Sequence, residues 1–272
     1  MTIQHDRLGV FDFLEVHRPA PKPRRSGLTI ASDQGYSLDE ARGFAETAAP
    51  FVDWVKLPDH YGHIARYTEG WLREKIAIYG QAGIRTTLGG VIYEVAVVQN
   101  KVPQFFARAA ELGLSGVEVS EDVIEPQSAE TRSAHIRLAV SAGLSVFTEV
   151  GRKYPDAPLD VDAVAEIAAR DLEAGAGKIV VENSDIVQIV ERNGDELHRL
   201  AERIPLDRLV FEIGPAGGAR IAAWLFRELG PDVNIENLDL RDAGTLAAQR
   251  AGLHRSVGLT FFDRYAVATA AE

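Results

Sequence analysis

Ser145-Val146-Phe147-Thr148-Glu149-Val150-Gly151-Arg152-Lys153 is a short apolar run that closes on a carboxylate, turns at a glycine and continues into two cations. β-Branched and aromatic residues fill the run, as in a strand buried on both faces. The pattern recurs on either side: Gly116 to Glu118, Ile179 to Glu182, Leu209 to Glu212 and Val233 to Glu236 also end on glutamate. Successive glutamates lie roughly 24 to 33 residues apart, the length of one strand, one helix and two loops. Such a unit, repeated with an acid at each strand end, describes a parallel barrel that gathers carboxylates at one mouth for metal or proton chemistry.

Working outward, strands are expected at Leu28–Ser32, Val52–Leu57, Arg85–Leu88, Gly116–Ser120, Ser145–Val150, Lys178–Glu182, Leu209–Ile213 and Asp232–Glu236. Helical stretches alternate with them at Ser37–Ala49, Trp71–Ala82, Val102–Leu112, Ala129–Ala142, Val161–Ala174, Gly194–Arg203, Ala216–Leu229 and Asp242–Ala251. Five of these end in Ala-Gly or Leu-Gly, at Gly83, Gly113, Gly143, Gly175 and Gly230, the expected helix stops before short returns to the sheet. The expected fold is therefore α/β, a single (β/α)8 TIM barrel over residues 28–257. An N-terminal arm (1–27) precedes it and a C-terminal tail (258–272) follows. A doubly wound open sheet is the alternative, but the first turn, Asp33-Gln34-Gly35, lacks the glycine-rich dinucleotide pattern.

Composition narrows the function. The 272 residues suit one barrel, and a formal charge of −11 offers no basic footprint for a phosphate backbone, so no nucleic-acid partner is expected. No cysteine is present and no apolar stretch approaches a membrane span, so the expectation is a cytoplasmic protein with no membrane partner. Lys22, Arg24 and Arg25, interleaved with prolines, read as an extended arm that covers a barrel end or a neighbouring subunit; a homo-oligomer is expected.

In a barrel, chemistry sits at the carboxyl ends of the strands. Asp33, Lys56, Glu94, Glu118, Ser120, Glu149, Lys153, Glu182, Glu212, Asn234, Glu236 and Asn237 are placed there by the strand assignments. Gly217, in the turn Gly214-Pro215-Ala216-Gly217-Gly218, is a candidate backbone anion site. His60 and His63 follow Lys56 on the same face, where imidazole can transfer protons or bind a transition metal; capping a helix is the plainer role. Trp54 is expected to pack outward against helices, and His135 to lie at the surface.

Lys22-Pro23-Arg24-Arg25-Ser26-Gly27-Leu28-Thr29, Gly89-Gly90-Val91-Ile92-Tyr93-Glu94, Gly116-Val117-Glu118-Val119-Ser120, Thr148-Glu149-Val150-Gly151-Arg152-Lys153 and Val233-Asn234-Ile235-Glu236-Asn237-Leu238 occur in an order and spacing that resemble the phosphosulfolactate synthase family. The resemblance runs from about residue 22 to about 257. It implies a Mg²⁺-dependent lyase that adds sulfite to phosphoenolpyruvate, a small anionic substrate, in sulfonate biosynthesis. It further implies Lys153 as general acid and Lys56 as a clamp for substrate oxygens. Glu118, Glu149 and Glu182 are the expected metal shell or, alternatively, carboxylates that orient the two lysines.

Expected substrate contacts are Asp33, Glu94, Ser120, Arg152, Ser184, Glu212, Gly217, Asn234, Asn237, His254 and Arg255. The chain departs from the family pattern after Glu182, where Asn183-Ser184-Asp185 replaces a segment with an arginine. Gln34 and His254-Arg255-Ser256 are further departures. Either other cations restore the anion site, or the substrate is less anionic on the same scaffold. An aldolase, epimerase or isomerase acting on a small hydroxy- or keto-acid and a non-catalytic barrel scaffold are the competing classes.

Overall fold

Eight parallel strands pair in chain order in the computed structural model: β1 (Thr29–Ser32), β2 (Trp54–Leu57), β3 (Arg85–Leu88), β4 (Gly116–Val119), β5 (Ser145–Val150), β6 (Lys178–Val181), β7 (Leu209–Glu212) and β8 (Asn234–Asp239). β8 pairs with β1, so the sheet closes on itself as the expected (β/α)8 TIM barrel. The structure describes residues 10–11, 13–16, 20–192, 194–214 and 218–263.

Around the barrel run α1 (Leu38–Ala48), α2 (Glu69–Gln81), α3 (Gly90–Val98), α4 (Val102–Leu112), α5 (Ala129–Ser141), α6 (Val161–Ala174), α7 (Asn183–Arg192), α8 (Asp195–Arg203), α9 (Gly218–Glu228) and α10 (Ala243–Arg250). Side chains mark the helix starts: Ser37 forms a capping box with Glu40, and Thr68, Ser128 and Asp160 accept from first-turn amides. Gly113 and Gly175 end α4 and α6 in the left-handed conformation, φ 91° and 111°, as the Leu-Gly and Ala-Gly pairs foretold.

Two helices depart from the expected eight. The α3 segment is rich in β-branched valine and isoleucine and starts at the second of two glycines, a poor helix by local preference; burial of Gly90, Tyr93, Glu94 and Ala96 overrides it. The α7 segment begins at Asn183-Ser184-Asp185, residues that read as a loop, and buries Ile186 and Ile189. Among the described residues no helix is long and apolar enough to cross a membrane.

Inside the barrel, Ile30, Trp54, Phe147, Val180 and Val210 form a separate apolar plug, distinct from the larger core between strands and helices. Trp54 therefore points inward, correcting the expectation that it packs outward. Side chains alternate along a strand, so the inward Lys56 of β2 commits Trp54, two residues earlier, to the same face. The indole meets Phe147 edge-on at 5.0 Å and carries the Arg85 guanidinium 4.0 Å over its ring.

At the amino end the arm closes the cylinder. Arg24 Nε donates to Asp53 Oδ1 at 2.8 Å, Lys22 donates to the Val52 carbonyl, and Lys178 Nζ reaches the Arg25 carbonyl at 2.7 Å. β8 begins and ends later than expected, and it is bulged near its carboxyl end: Ile30 pairs with Glu236 and Ala31 with Leu238, leaving Asn237 between them at φ 64°.

Gly116 makes room for the inward indole. A Cβ there would lie 2.8 Å from the Ser145 carbonyl oxygen and 3.1 Å from Trp54 Cζ3. Gly116→Ala is expected to cost about 1–3 kcal/mol through overpacking, read as a lower urea midpoint. An unchanged midpoint would mean that the indole is not held against this glycine.

Candidate active site

Inward strand positions and the loops that follow β4, β5 and β6 place two lysines among six carboxyl groups at the carboxyl-terminal mouth. Lys56 Nζ lies 2.8 Å from Glu118 Oε2 and 2.6 Å from Glu236 Oε1, all three nearly inaccessible to water. Removing a charge from water costs several kcal/mol, so one ammonium cannot carry two buried carboxylates cheaply, and one acid retains a proton. Burial drives Glu236 well above the usual carboxylate range, aided by Glu118 and Glu212 against the pull of Lys56. Glu118 moves the other way despite burial, because Lys56, a hydrogen bond from Glu236 and the Gly90 amide at 2.8 Å stabilise its anion. Burial also opposes the charge on Lys56, but Glu118 and Glu236 raise it well above an ordinary lysine.

The second group gathers at the ends of β4, β5 and β6. Asp122, Glu149 and Glu182 each present an oxygen within 4.8 Å of the others. Lys153, 39% exposed, pairs with Asp122 and lies 3.8 Å from Glu182 Oε2. Burial disfavours its charge, yet Glu149, Asp122 and Glu182 together raise its pKa. Burial and the field of Glu118 push Glu149 well above the carboxylate range. Glu182 falls below it despite burial because Glu149, Lys153 and Ser184 stabilise the anion. Glu149 Oε1 and Glu182 Oε2 are buried without a protein donor. A proton shared by the pair or a bound cation must balance them, and the all-oxygen donor set suits a hard divalent ion.

Glu212 links the two groups. Burial raises it to about 7, with Glu182 and Glu118 adding and Lys56 opposing, and Asn237 Nδ2 donates to its Oε1 at 2.6 Å. That contact depends on the bulge in β8, which turns Asn237 toward β7. Ser184 donates to Glu182 Oε1 from its amide and hydroxyl at 3.4 and 3.2 Å. Arg152 stands on the loop after β5, its amide donating to Asp185 Oδ2 at 2.9 Å.

The two histidines separate. The His60 ring borders Gly89 and the Lys56 side chain, and a Cβ on Gly89 would lie 3.3 Å from each. Burial and Lys56 lower its pKa, so the ring is neutral near pH 7. His63 packs edge-on against Tyr67 at 5.4 Å, and burial pushes it down to about 4. Only the first borders the lysine of the mouth.

Several expected contacts fall elsewhere. Asp33 is turned away from the barrel interior: its carboxylate accepts from Tyr79 at 2.7 Å, pairs with Lys75 at 2.7 Å and caps the Gly35 and Tyr36 amides. Period-two alternation gives the inward position to Ser32, whose buried hydroxyl has no partner. Asn234 belongs to the opposite end of the barrel. As the first residue of β8 it accepts from the Leu28 amide at 3.0 Å and donates to the Leu209 carbonyl at 2.6 Å. His254 and Arg255 belong to the turn after α10, which packs on α9; Ser256 there accepts from Gln249 and, through its carbonyl, from Arg227. A helix returning from the mouth leaves its successor on the outer wall, so these two do not join the carboxylates. Gly217 lies outside the described residues.

Glu94 sits on α3 and accepts from Ser120, whose hydroxyl is fully buried, and from two loop amides. Asp122 was missed because it follows the strand in Glu121-Asp122, where nothing in one sequence distinguishes a mouth acid from a solvated one. Arg132 was also missed. It holds Asp171 through two nitrogens at 2.8–3.1 Å and donates to the Glu149 carbonyl at 3.0 Å, bracing β5 from behind.

A family model described as (2R)-phospho-3-sulfolactate synthase (ComA) matches residues 17–256. The chain belongs to the phosphosulfolactate synthase family. It is 30% identical over 255 residues to the phosphosulfolactate synthase of Methanothermobacter thermautotrophicus, covering 90% of this chain and 96% of that one. Identity to the Bacillus subtilis phosphosulfolactate synthase is 29% over 260 residues, covering 92% and 98%. Among solved structures, the YdjI aldolase of Escherichia coli K12 superposes with a TM-score of 0.56 at 13% identity, covering 87% of this chain and 90% of the aldolase; that likeness shows the barrel alone. Phosphosulfolactate synthases are lyases, and membership makes this chain an enzyme of that kind.

Glu212 makes stability pH-dependent. The folded carboxyl keeps its proton to about pH 7 and the unfolded one only to its ordinary 4.5, so the folded state binds more protons between those values. Stability therefore falls as pH rises through that window, by up to about 3 kcal/mol from this group. In urea unfolding with chelator present, Glu212→Gln should flatten the decline between pH 5 and 7. Parallel curves for variant and parent would contradict the raised carboxyl.

Proposed function

We propose that this enzyme adds sulfite to phosphoenolpyruvate with Mg²⁺ held by Asp122, Glu149 and Glu182. The carrying observation is one constellation: three carboxyl groups that each present an oxygen within 4.8 Å of the others, a buried oxygen without a hydrogen-bond partner on both Glu149 and Glu182, and Lys153 paired with Asp122 and Glu182. A cation there supplies Lewis acidity, making the substrate carboxylate a better acceptor of charge.

The sulfur lone pair forms a bond to the methylene carbon of the enol, and the displaced π electrons move toward the substrate carboxylate. Lys153 then delivers its proton to the adjacent carbon, completing the addition with no leaving group. An ammonium with so high a pKa is a weak acid while the acids around it are free. Charge compensation of Asp122, Glu149 and Glu182 removes the fields that hold its proton and brings it toward a useful range. Lys56, locked between Glu118 and Glu236, is fixed in place to donate to a substrate oxygen. Compact, strongly hydrated Mg²⁺ suits such a partial carboxylate shell completed by water and substrate. We place the enzyme in the cytoplasm, in sulfonate biosynthesis and as a homo-oligomer, in keeping with its lack of cysteine and its basic arm.

A second substrate class is favoured by one observation. Asn183-Ser184-Asp185, which follow β6, bring no cation to an anion site, and the charge of Lys56 is already matched by Glu118 and Glu236. A singly charged 2-oxo acid, enolised on the same scaffold, fits that charge balance. With phosphoenolpyruvate, sulfite and Mg²⁺, phosphosulfolactate should form, chelator should abolish it, and Lys153→Ala should lower turnover about 10²–10⁴-fold. Absence of product from the parent enzyme, together with solvent deuterium entering pyruvate, would replace the first reading with the second.

A further inference from the structure

Glu94 is a buried carboxylate on α3 that makes no ion pair among the described residues, 1% exposed and outside the chemistry assigned above. Its Oε1 accepts from the Ser120 hydroxyl and, at 3.0 Å, from the Asp122 amide; its Oε2 accepts from the Val123 amide at 2.9 Å. Three donors, from Ser120, Asp122 and Val123, thus converge on one side chain from the start of the loop that carries Asp122. We propose that Glu94 is a positioning residue that sets the cation affinity of the mouth by clamping this loop, an inference that rests on the cation reading given above.

Only a carboxylate can do this. Both of its oxygens accept and neither donates, whereas the amide of glutamine would set an N–H group against a loop donor. The clamp is anchored on a rigid base: Tyr93, next to it on α3, stacks on Phe106 with ring centroids 5.9 Å apart. Gly90 brings the start of α3 so close to β4 that a Cβ there would fall 2.7 Å from Ser120 Cβ. The same helix grips the loop again farther along, where Gln127 Nε2 donates to the Tyr93 hydroxyl at 2.9 Å. Within its carboxylate group Asp122 lies farthest from a strand, three residues past the end of β4, whereas Glu149 is in β5 and Glu182 directly follows β6, so its position depends on such anchoring. Groups that orient metal ligands typically change affinity about 10–100-fold when removed.

The test compares parent, Glu94→Gln and Ser120→Ala by two measurements on purified full-length protein. In metal-free protein, hydrogen exchange at the Asp122 and Val123 amides should quicken by about tenfold or more in Glu94→Gln. Isothermal titration with Mg²⁺ alone should show affinity about 10–100-fold weaker, with Ser120→Ala shifted less in the same direction. In turnover assays, the loss should appear in the Mg²⁺ concentration for half-maximal rate and be recovered at saturating metal. Mg²⁺ affinity unchanged in both variants overturns the inference, as does a turnover deficit that persists at saturating Mg²⁺, which would make Glu94 a substrate contact. A parent protein that takes up no Mg²⁺ while its Asp122 and Val123 amides remain Glu94-protected overturns the cation reading itself and the affinity role with it.

Discussion

Carboxyl groups buried side by side must each acquire a proton, an ammonium or a metal ion, and the mouth of this barrel uses the first two in alternation. Lys56 stands between Glu118 and Glu236, and Lys153 between Asp122 and Glu182. In each set one acid stays an anion and a neighbour is driven up: Glu236 beside Glu118, Glu149 beside Glu182. The two sets differ in one respect. The first is closed by its lysine, whereas in the second Glu149 Oε1 and Glu182 Oε2 have no other hydrogen-bond partner and must share a proton or a cation.

That difference divides labour across the mouth. The β2 and β8 side is a rigid, charge-balanced floor, and the β4 to β6 side is the adaptable part where charge can be exchanged. The apolar plug of Ile30, Trp54, Phe147, Val180 and Val210 lies below both, keeping water out of the barrel and the acids at low effective dielectric. Outer helices contribute from behind, as Arg132 does on the Glu149 carbonyl and Glu94 on the loop after β4.

Eight apolar runs, five of them closing on glutamate, made the barrel legible without coordinates, and the rule that chemistry sits at strand ends placed Lys56, Glu118, Glu149, Lys153, Glu182, Glu212 and Glu236 at its mouth. Helix stops at glycine were legible for the same reason: the requirement is local. Failures cluster where a decision depends on something distant. Asp33 looked like a strand-end acid, but one step of alternation sends it to Lys75 and Tyr79 on α2. Trp54 was misjudged although Lys56, two residues on, already implied its direction. Asn234 was assigned to the wrong end of the barrel because β8 starts at this residue and runs on to Asp239, past the expected end at Glu236.

By itself the sequence determined what is periodic and local: the alternation of strand and helix, the inward parity of most strands, the supply of acids and the shortage of cations. Tertiary structure alone decided which of those acids share a proton, which lysine closes which pair, and that Asp122 rather than Glu118 joins Glu149 and Glu182. The physical reason is that protonation and ion pairing depend on separations of a few ångströms between groups far apart in the chain, which only closure of the cylinder establishes.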